Sequence, residues 1–508
     1  MTNRGLRTII NTFSSLLIQF TTVFFGFVIR SLFIKKLGAE YMGFNTLMIN
    51  LLGTLNLAEL GFDAVFLYTL YKPFEELNTK KINAILNFFR KVYFLIGLII
   101  LVLGIILSFF LRYFISGSIP SGINIYFIYY IYLTRTVIGY FCFAYKSCIL
   151  RAAQRLDILN NIATVFLFIL YTVQIYALHK LKSYYLFVII LPFIGFSRNL
   201  ITSLFVDKKY PQYKCQGTLS KEFYKDFFRK LYAIAFVKLR TASRSYIDTV
   251  ILSAFLGLVV TARYAVYQSV IQIAVILSIS IVIPSLRDSV GNYFVNSTAE
   301  GKFLIFNTFS FIVYWIASWC AICVVCLSKD FIILWVGSEM LEHNFITLSF
   351  AFLCFIQAMA AVPECIKEIT GVQWQNRYCP VAEMVFNIGL DLILVREFGI
   401  LGVVVATAFC IGLITLPSDI YVVFKHCFNK SCKKHILLLV VYTLITMTLC
   451  IVCQYLCSFI VLNNLFLQLL IKLLFCIIVP NVMLFLIFCK TALFKNSVKT
   501  VFVSVLGK

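Results

Sequence analysis

FVKLRTASRSYIDTVILSAFL, residues Phe236 to Leu256, is long and apolar enough to cross a bilayer, yet it holds Lys238, Arg240, Arg244 and Asp248. An ionic side chain at mid-bilayer costs roughly 2.5–3.5 kcal/mol on insertion scales, so several in one span require a compensating environment. Arg240, Arg244 and Asp248 recur at every fourth position and so share one face of a straight helix. That face is expected to point into water or at an anion rather than into lipid. An i,i+4 ion pair between Arg244 and Asp248 would neutralise two of these groups but leaves Lys238 and Arg240 uncompensated. A transport pathway is the first expectation.

Composition sets the class. Of the 508 residues, 61% are apolar, 17% aromatic and only 13% charged, with a mean hydropathy of +0.95. Soluble domains carry about 25% charged residues, so the chain reads as an integral membrane protein. A net charge of +23 would suggest nucleic acid in a soluble protein. Here Lys and Arg collect in loops, where they fix orientation across the membrane, and no nucleic-acid partner is expected.

Apolar stretches of about twenty residues give about fourteen spans. They fall near 10–34, 44–71, 92–114, 124–148, 158–178, 184–206, 231–256, 263–286, 303–328, 346–369, 376–395, 400–424, 436–461 and 466–489. Basic residues concentrate in three connections: Lys72 to Lys91, Lys208 to Lys230 and Lys425 to Lys434. The connection Ser116 to Gly122 carries no charge. Both termini are therefore expected to be cytoplasmic. The fold class expected is all-α, with two pseudo-symmetric six-helix bundles over 1–206 and 231–424. A basic cytoplasmic linker fills 207–230, two further helices occupy 435–489, and 490–508 is a cytoplasmic tail.

An internal echo supports the division. FIKKLGAEYMGFNTLMINLL (Phe33 to Leu52) resembles ILSAFLGLVVTARYAVYQSVIQI (Ile251 to Ile273), and each places an LG pair between the first two spans of its half. Six spans separate the copies, so the repeats share one topology and their axis runs along the membrane normal. Prolines at Pro192, Pro284, Pro363, Pro380, Pro417 and Pro480 fall within or at the ends of spans, where ordinary packing kinks are expected. Pro363 differs because Glu364, Lys367 and Glu368 follow it, a set better placed at a cavity.

Other ionisable groups lie within spans. Arg135 is central in its span, and with Arg30 and Arg263 it joins Lys238, Arg240 and Arg244 as a candidate lining of a cationic cavity. Guanidinium groups give charge-assisted hydrogen bonds to phosphate oxygens, so such a cavity suits a diphosphate or an acidic sugar. Lys146 and Arg198, nearer span ends, are expected to snorkel to the headgroups. The acids Glu59, Asp63, Asp248 and Glu364 are candidates for coupling or ion pairing. Glu59 and Asp63 are four apart, and like-charge repulsion would favour a proton on one of them; pairing of each with a cavity arginine is the preferred alternative.

Enzyme motifs are absent: there is no GxxxxGK[ST], HExxH or GxSxG, and the four histidines have no metal-like spacing. No catalytic residue, metal ligand or cofactor is expected, with a proton or sodium ion as the candidate coupling species. Seventeen cysteines lie mostly in apolar spans. The run Cys320, Cys323, Cys326 has no second ligand pair near it in sequence, so helix packing is its expected role.

KKLGAEYMGFNTLMINLLGTLNLAELGFDAVFLYTLYKP (Lys35 to Pro73) resembles the opening of Wzx-type polysaccharide flippases. Three later stretches are similar to the same family: Tyr246 to Tyr267, Lys329 to Leu341 (KDFIILWVGSEML) and Asn376 to Thr407 (NRYCPVAEMVFNIGLDLILVREFGILGVVVAT). The resemblance implies the fold of the multidrug, oligosaccharidyl-lipid and polysaccharide (MOP) exporter superfamily, to which MATE and MurJ transporters belong. It also implies a bacterial plasma-membrane protein that turns undecaprenyl-diphosphate-linked repeat units of O-antigen or capsule to the outer leaflet, with a polysaccharide polymerase as partner. Two other readings remain. A multidrug exporter of the same superfamily would need a less basic cavity, and a lipid-linked glycan polymerase or ligase a larger outer loop.

Overall fold

The computed structural model describes residues 2–56, 62–280 and 282–498; the side chains of 2–9, 64, 233–234, 236–243, 245, 288–289 and 292–293 are outside the description. The described chain is all-helical and divides into two compact units, Met1–Ala262 and Arg263–Lys508.

The first unit holds α1 (Thr2–Leu37), α2 (Ala39–Leu55), α3 (Phe62–Glu75), α4 (Thr79–Phe109) and α5 (Ile125–Phe141). It continues with α6 (Ser147–Ala152), α7 (Leu156–Tyr176), α8 (Tyr184–Lys209), α9 (Lys221–Ala242) and α10 (Asp248–Leu256). α11 (Leu258–Ile279) crosses the boundary. The second unit adds α12 (Val282–Pro284), α13 (Gly291–Asn296), α14 (Ala299–Trp335), α15 (Asn344–Thr370), α16 (Cys379–Phe398) and α17 (Ile400–Phe409). α18 (Leu416–Val423), α19 (Lys433–Ser458) and α20 (Leu465–Phe488) complete it.

Polar side chains cap the starts of the long apolar runs. Asn78 accepts from the Lys81 N–H at α4, Asn124 from Tyr126 and Phe127 at α5, and Ser183 from Leu186 at α8. Thr298 and Asn464 do the same at α14 and α20. Each satisfies an N–H that helix geometry leaves unpaired, which matters more where water is excluded.

Eleven described helices are long and apolar enough to cross a membrane, or twelve if α5 and the Ala144–Ala152 segment, bent by 48°, form one span. About fourteen were expected. The candidate spans leave out 44–71, 231–256 and, unless the bent pair counts as one span, 124–148. Over the first of these the described residues form α2 and α3, and 57–61 lie outside the description. In the second, the charged α9 runs through a π-helical turn at Ser243–Ile247 into the short α10.

The two LG pairs occupy matching backbone positions. Gly38 (φ 97°, ψ 171°) separates α1 from α2, and Gly257 (φ 86°, ψ −179°) separates α10 from α11. Only glycine adopts this conformation without steric cost, which explains its recurrence at both breaks. Pro192, Pro363 and Pro480 lie inside α8, α15 and α20, while Pro380 and Pro417 open α16 and α18. Pro284 closes α12 and leads into a π-helical turn at Ser285–Ser289.

Within the first unit α1 packs on α7, and α5 on both α4 and α8. An aromatic cluster ties α3, α4 and α9: the Phe66 ring lies 3.6 Å from that of Phe89 and 5.1 Å from that of Phe227. In the second unit α14 packs along α15, α19 and α20. Apolar attraction is weak in lipid, so contact quality and close backbone approach do most of the holding. Gly43 on α2 is such an approach, since a Cβ there would meet the Leu258 carbonyl oxygen at 1.8 Å. Gly43→Ala should therefore lower the thermal midpoint of the detergent-solubilised protein, at a cost of about 1–3 kcal/mol or more. Gly26→Ala, with nothing within 4 Å of the added methyl, should leave it unchanged. Equal midpoints for the two variants would contradict this packing.

Candidate cationic cavity

A cavity of about 530 Å³ opens within the first unit, among α2–α8. Among the described residues its charged lining is three guanidinium groups, Arg135, Arg151 and Arg198, against one carboxylate, Asp63. Asn56, Asn160, Asn199, Thr136, Thr202 and Ser147 supply further polar atoms. The lining thus offers cationic donors and sugar-compatible hydrogen-bonding groups together.

Local structure places each group. Phe66 stacks on Phe89, which brings Asp63, one turn earlier on α3, beside Tyr93, one turn later on α4. The Tyr93 hydroxyl donates to the Asp63 carboxylate, and Arg151 from α6 approaches the same carboxylate at 3.6 Å. On α5 the Tyr132 hydroxyl donates to Asn45 of α2, fixing the turn that presents Arg135. α8 packs on α5 and contributes Arg198, close enough to Arg135 for mutual repulsion. Both side chains are exposed, and among the described residues neither has a carboxylate partner. Two like charges held together in this way require water or an anion between them.

The other sequence candidates are distributed as follows. Arg30 is half-buried on α1 and is not part of the cavity lining. Arg244 is half-buried on the π-helical turn, also outside the lining, and Asp248 is buried at the start of α10. That turn adds a residue to the helical repeat between Arg244 and Asp248. The side chains of Lys238 and Arg240 lie outside the described residues, as does all of Glu59. Arg263 belongs to the second unit, where its Nη1 donates to Glu342 Oε1 at 3.3 Å. The Tyr267 hydroxyl accepts from the Glu342 N–H at 3.0 Å and steadies that acid.

Two cavity arginines were not anticipated. Arg198 was expected to snorkel, and Arg151 lies in a short helix that no apolar run marks. The signal available for Arg198 was the polar pair Arg198-Asn199 that follows Pro192 in α8. Lys146 instead pairs with Asp207, its Nζ 2.7 Å from Oδ1.

The ionisable groups after Pro363 belong to polar networks in the second unit. Lys367, 5% exposed, donates to the fully buried Asp419, which also accepts from Asn376. Ser418 Oγ donates to Asn376 Oδ1 at 2.7 Å, and Glu368 pairs with Arg287. Glu364 is half-buried on α15. Breaking a buried pair by removing one partner strands the other charge, at about 3–5 kcal/mol. Lys367→Met should therefore destabilise the protein strongly in thermal unfolding, and Lys367→Met/Asp419→Leu should recover much of the loss. A double variant no better than the single one would contradict a pairing role.

No protein-family model and no curated protein matches this chain. Solved structures do. The lipid II flippase MurJ in its inward closed conformation superposes with a TM-score of 0.64 at 16% identity, covering 99% of this chain and 100% of that one. An inward-facing multidrug resistance MATE family transporter of the MOP superfamily gives 0.61 at 12% identity, covering 82% and 98%. A MATE transporter in its bent conformation gives 0.53 at 12% identity, covering 82% and 95%. These neighbours are transporters, and the chain is a multi-pass membrane protein with the fold of the MOP superfamily.

Proposed function

We propose that the protein is a flippase that moves a polyprenyl-diphosphate-linked oligosaccharide between membrane leaflets by alternating access. The observation that carries this reading is the cavity of the first unit, where Arg135, Arg151 and Arg198 face one carboxylate among the described residues. A diphosphate brings about two negative charges and several acceptor oxygens, which guanidinium forks bind in paired hydrogen bonds. The sugars would meet the amide and hydroxyl groups beside them. Undecaprenyl diphosphate is the carrier that the sequence resemblance implies, with O-antigen or capsule repeat units as cargo and a polysaccharide polymerase downstream.

The carrier's tail is suited to lipid. Resemblance to MurJ, which handles a lipid-linked substrate, extends over 99% of the chain, against 82% for the MATE transporters. A cationic drug would be repelled by three guanidiniums, which weighs against the multidrug alternative. Both termini cytoplasmic, as the loop charges indicate, fits loading from the inner leaflet.

Reconstitution into liposomes with a labelled polyprenyl-diphosphate oligosaccharide, followed by leaflet exposure, tests the reading. Wild type should flip the lipid, and Arg135→Ala and Arg198→Ala should each slow it. Loss of one charge-assisted hydrogen bond, worth about 1.5–3 kcal/mol, corresponds to roughly a ten- to hundredfold effect. Arg240→Ala/Arg244→Ala in a parallel sample reports whether the seventh span contributes. Extension of the glycan without flipping would instead make the protein a polymerase.

A further inference from the structure

Three cysteines distant in sequence converge in the second unit. The Sγ atoms of Cys326 on α14, Cys457 on α19 and Cys476 on α20 all lie within 4.8 Å of one another. All three are buried, at 5%, 3% and 0% exposure. Around them on the same helices stand Cys320, Cys323, Cys450 and Cys453, so seven of the seventeen cysteines gather in this one three-helix seam. The ligands that the CxxCxxC run lacks in sequence are thus supplied by the fold.

Polar contacts fix the register that brings the sulfurs together. Lys472 Nζ donates to Asp330 Oδ2 at 2.6 Å, and Gln468 Nε2 donates to the same oxygen at 2.9 Å. Asp330 lies one turn beyond Cys326 on α14, and Lys472 one turn before Cys476 on the antiparallel α20. Holding that ion pair therefore sets Cys326 opposite Cys476. A second clamp, Ser318 Oγ to Thr446 Oγ1 at 2.7 Å, aligns α14 with the parallel α19 and so sets the height of Cys457. The Trp319 indole N–H donates to the Cys476 carbonyl at 2.8 Å and holds α20 against α14 at the same level.

We propose that Cys326, Cys457 and Cys476 form a binding site for a thiophilic d¹⁰ cation, copper(I) or zinc(II). Thiolate sulfur selects these ions over the hard cations that oxygen ligands hold. Metal–sulfur bonds of about 2.3 Å put paired sulfurs about 4 Å apart, within the spacing found here. Each thiol that ligates surrenders its proton to solvent, and the cation offsets the negative charge that results. Packing alone would account for buried cysteines, since they behave as small apolar residues, but it does not require one sulfur from each of three helices to meet at a point. A bound ion would cross-link α14, α19 and α20. The proposal is independent of the flippase reading.

The test uses the full-length protein in detergent, reduced and anaerobic, loaded separately with copper(I) and with zinc(II) and then passed through a competing chelator. Elemental analysis should find about one ion per chain from one loading or the other, and X-ray absorption should report a sulfur shell at about 2.3 Å. Retention should fall at least tenfold in Cys326→Ala/Cys457→Ala and stay unchanged in Cys410→Ala, a buried cysteine elsewhere in the same unit. Which loading succeeds identifies the ion. Failure of wild type to retain either, equal retention by the double variant, or a nitrogen and oxygen shell would overturn the proposal. Should the double variant misfold, the wild-type absorption spectrum decides alone.

Discussion

An ionic group inside a bilayer must be either paired or wet, and the architecture of this chain follows from how it meets that requirement. In the second unit several charges are paired: Lys367 with Asp419, Lys472 with Asp330, Arg263 with Glu342. These pairs join residues far apart in sequence, and two of them are almost fully enclosed. Such pairs add little net stability over apolar packing, but they penalise every register in which a charge loses its partner. In the first unit Arg135 and Arg198 are treated in the opposite way. They line a polar cavity without a carboxylate between them among the described residues, an arrangement that water sustains and an anion would improve.

Much of the fold was legible in the sequence because the bilayer imposes a simple rule of length and hydropathy. Most apolar runs correspond to helices such as α4, α8, α14 and α20. The repeat at Leu37-Gly38 and Leu256-Gly257 was legible too, and it marks two breaks of the same backbone conformation. Residue spacing does not reveal the π-helical turn at Ser243–Ile247.

The candidate site was legible only in part. Arg135 stands alone in a long apolar run, so its cost was visible. The role of Arg198 depends on α8 packing against α5, a tertiary fact, and Arg151 sits on a helix too short to register. Partners distant along the chain were equally hidden: Arg263 meets Glu342, and Cys326 meets Cys457 and Cys476, only once the helices pack. Local pattern identifies which residues are expensive, and tertiary structure decides whether that expense is relieved by pairing or by ligand.

The central claim is that the diphosphate of a lipid-linked glycan binds between Arg135 and Arg198. The most direct measurement is photo-cross-linking of the reconstituted protein with a polyprenyl-diphosphate probe whose photoreactive group sits beside the diphosphate, followed by mapping of the labelled peptides. The account predicts labels on α5 and α8 around Arg135 and Arg198, competed away by unlabelled lipid-linked glycan. Specific labels confined to other helices, with none on α5 or α8, would contradict it.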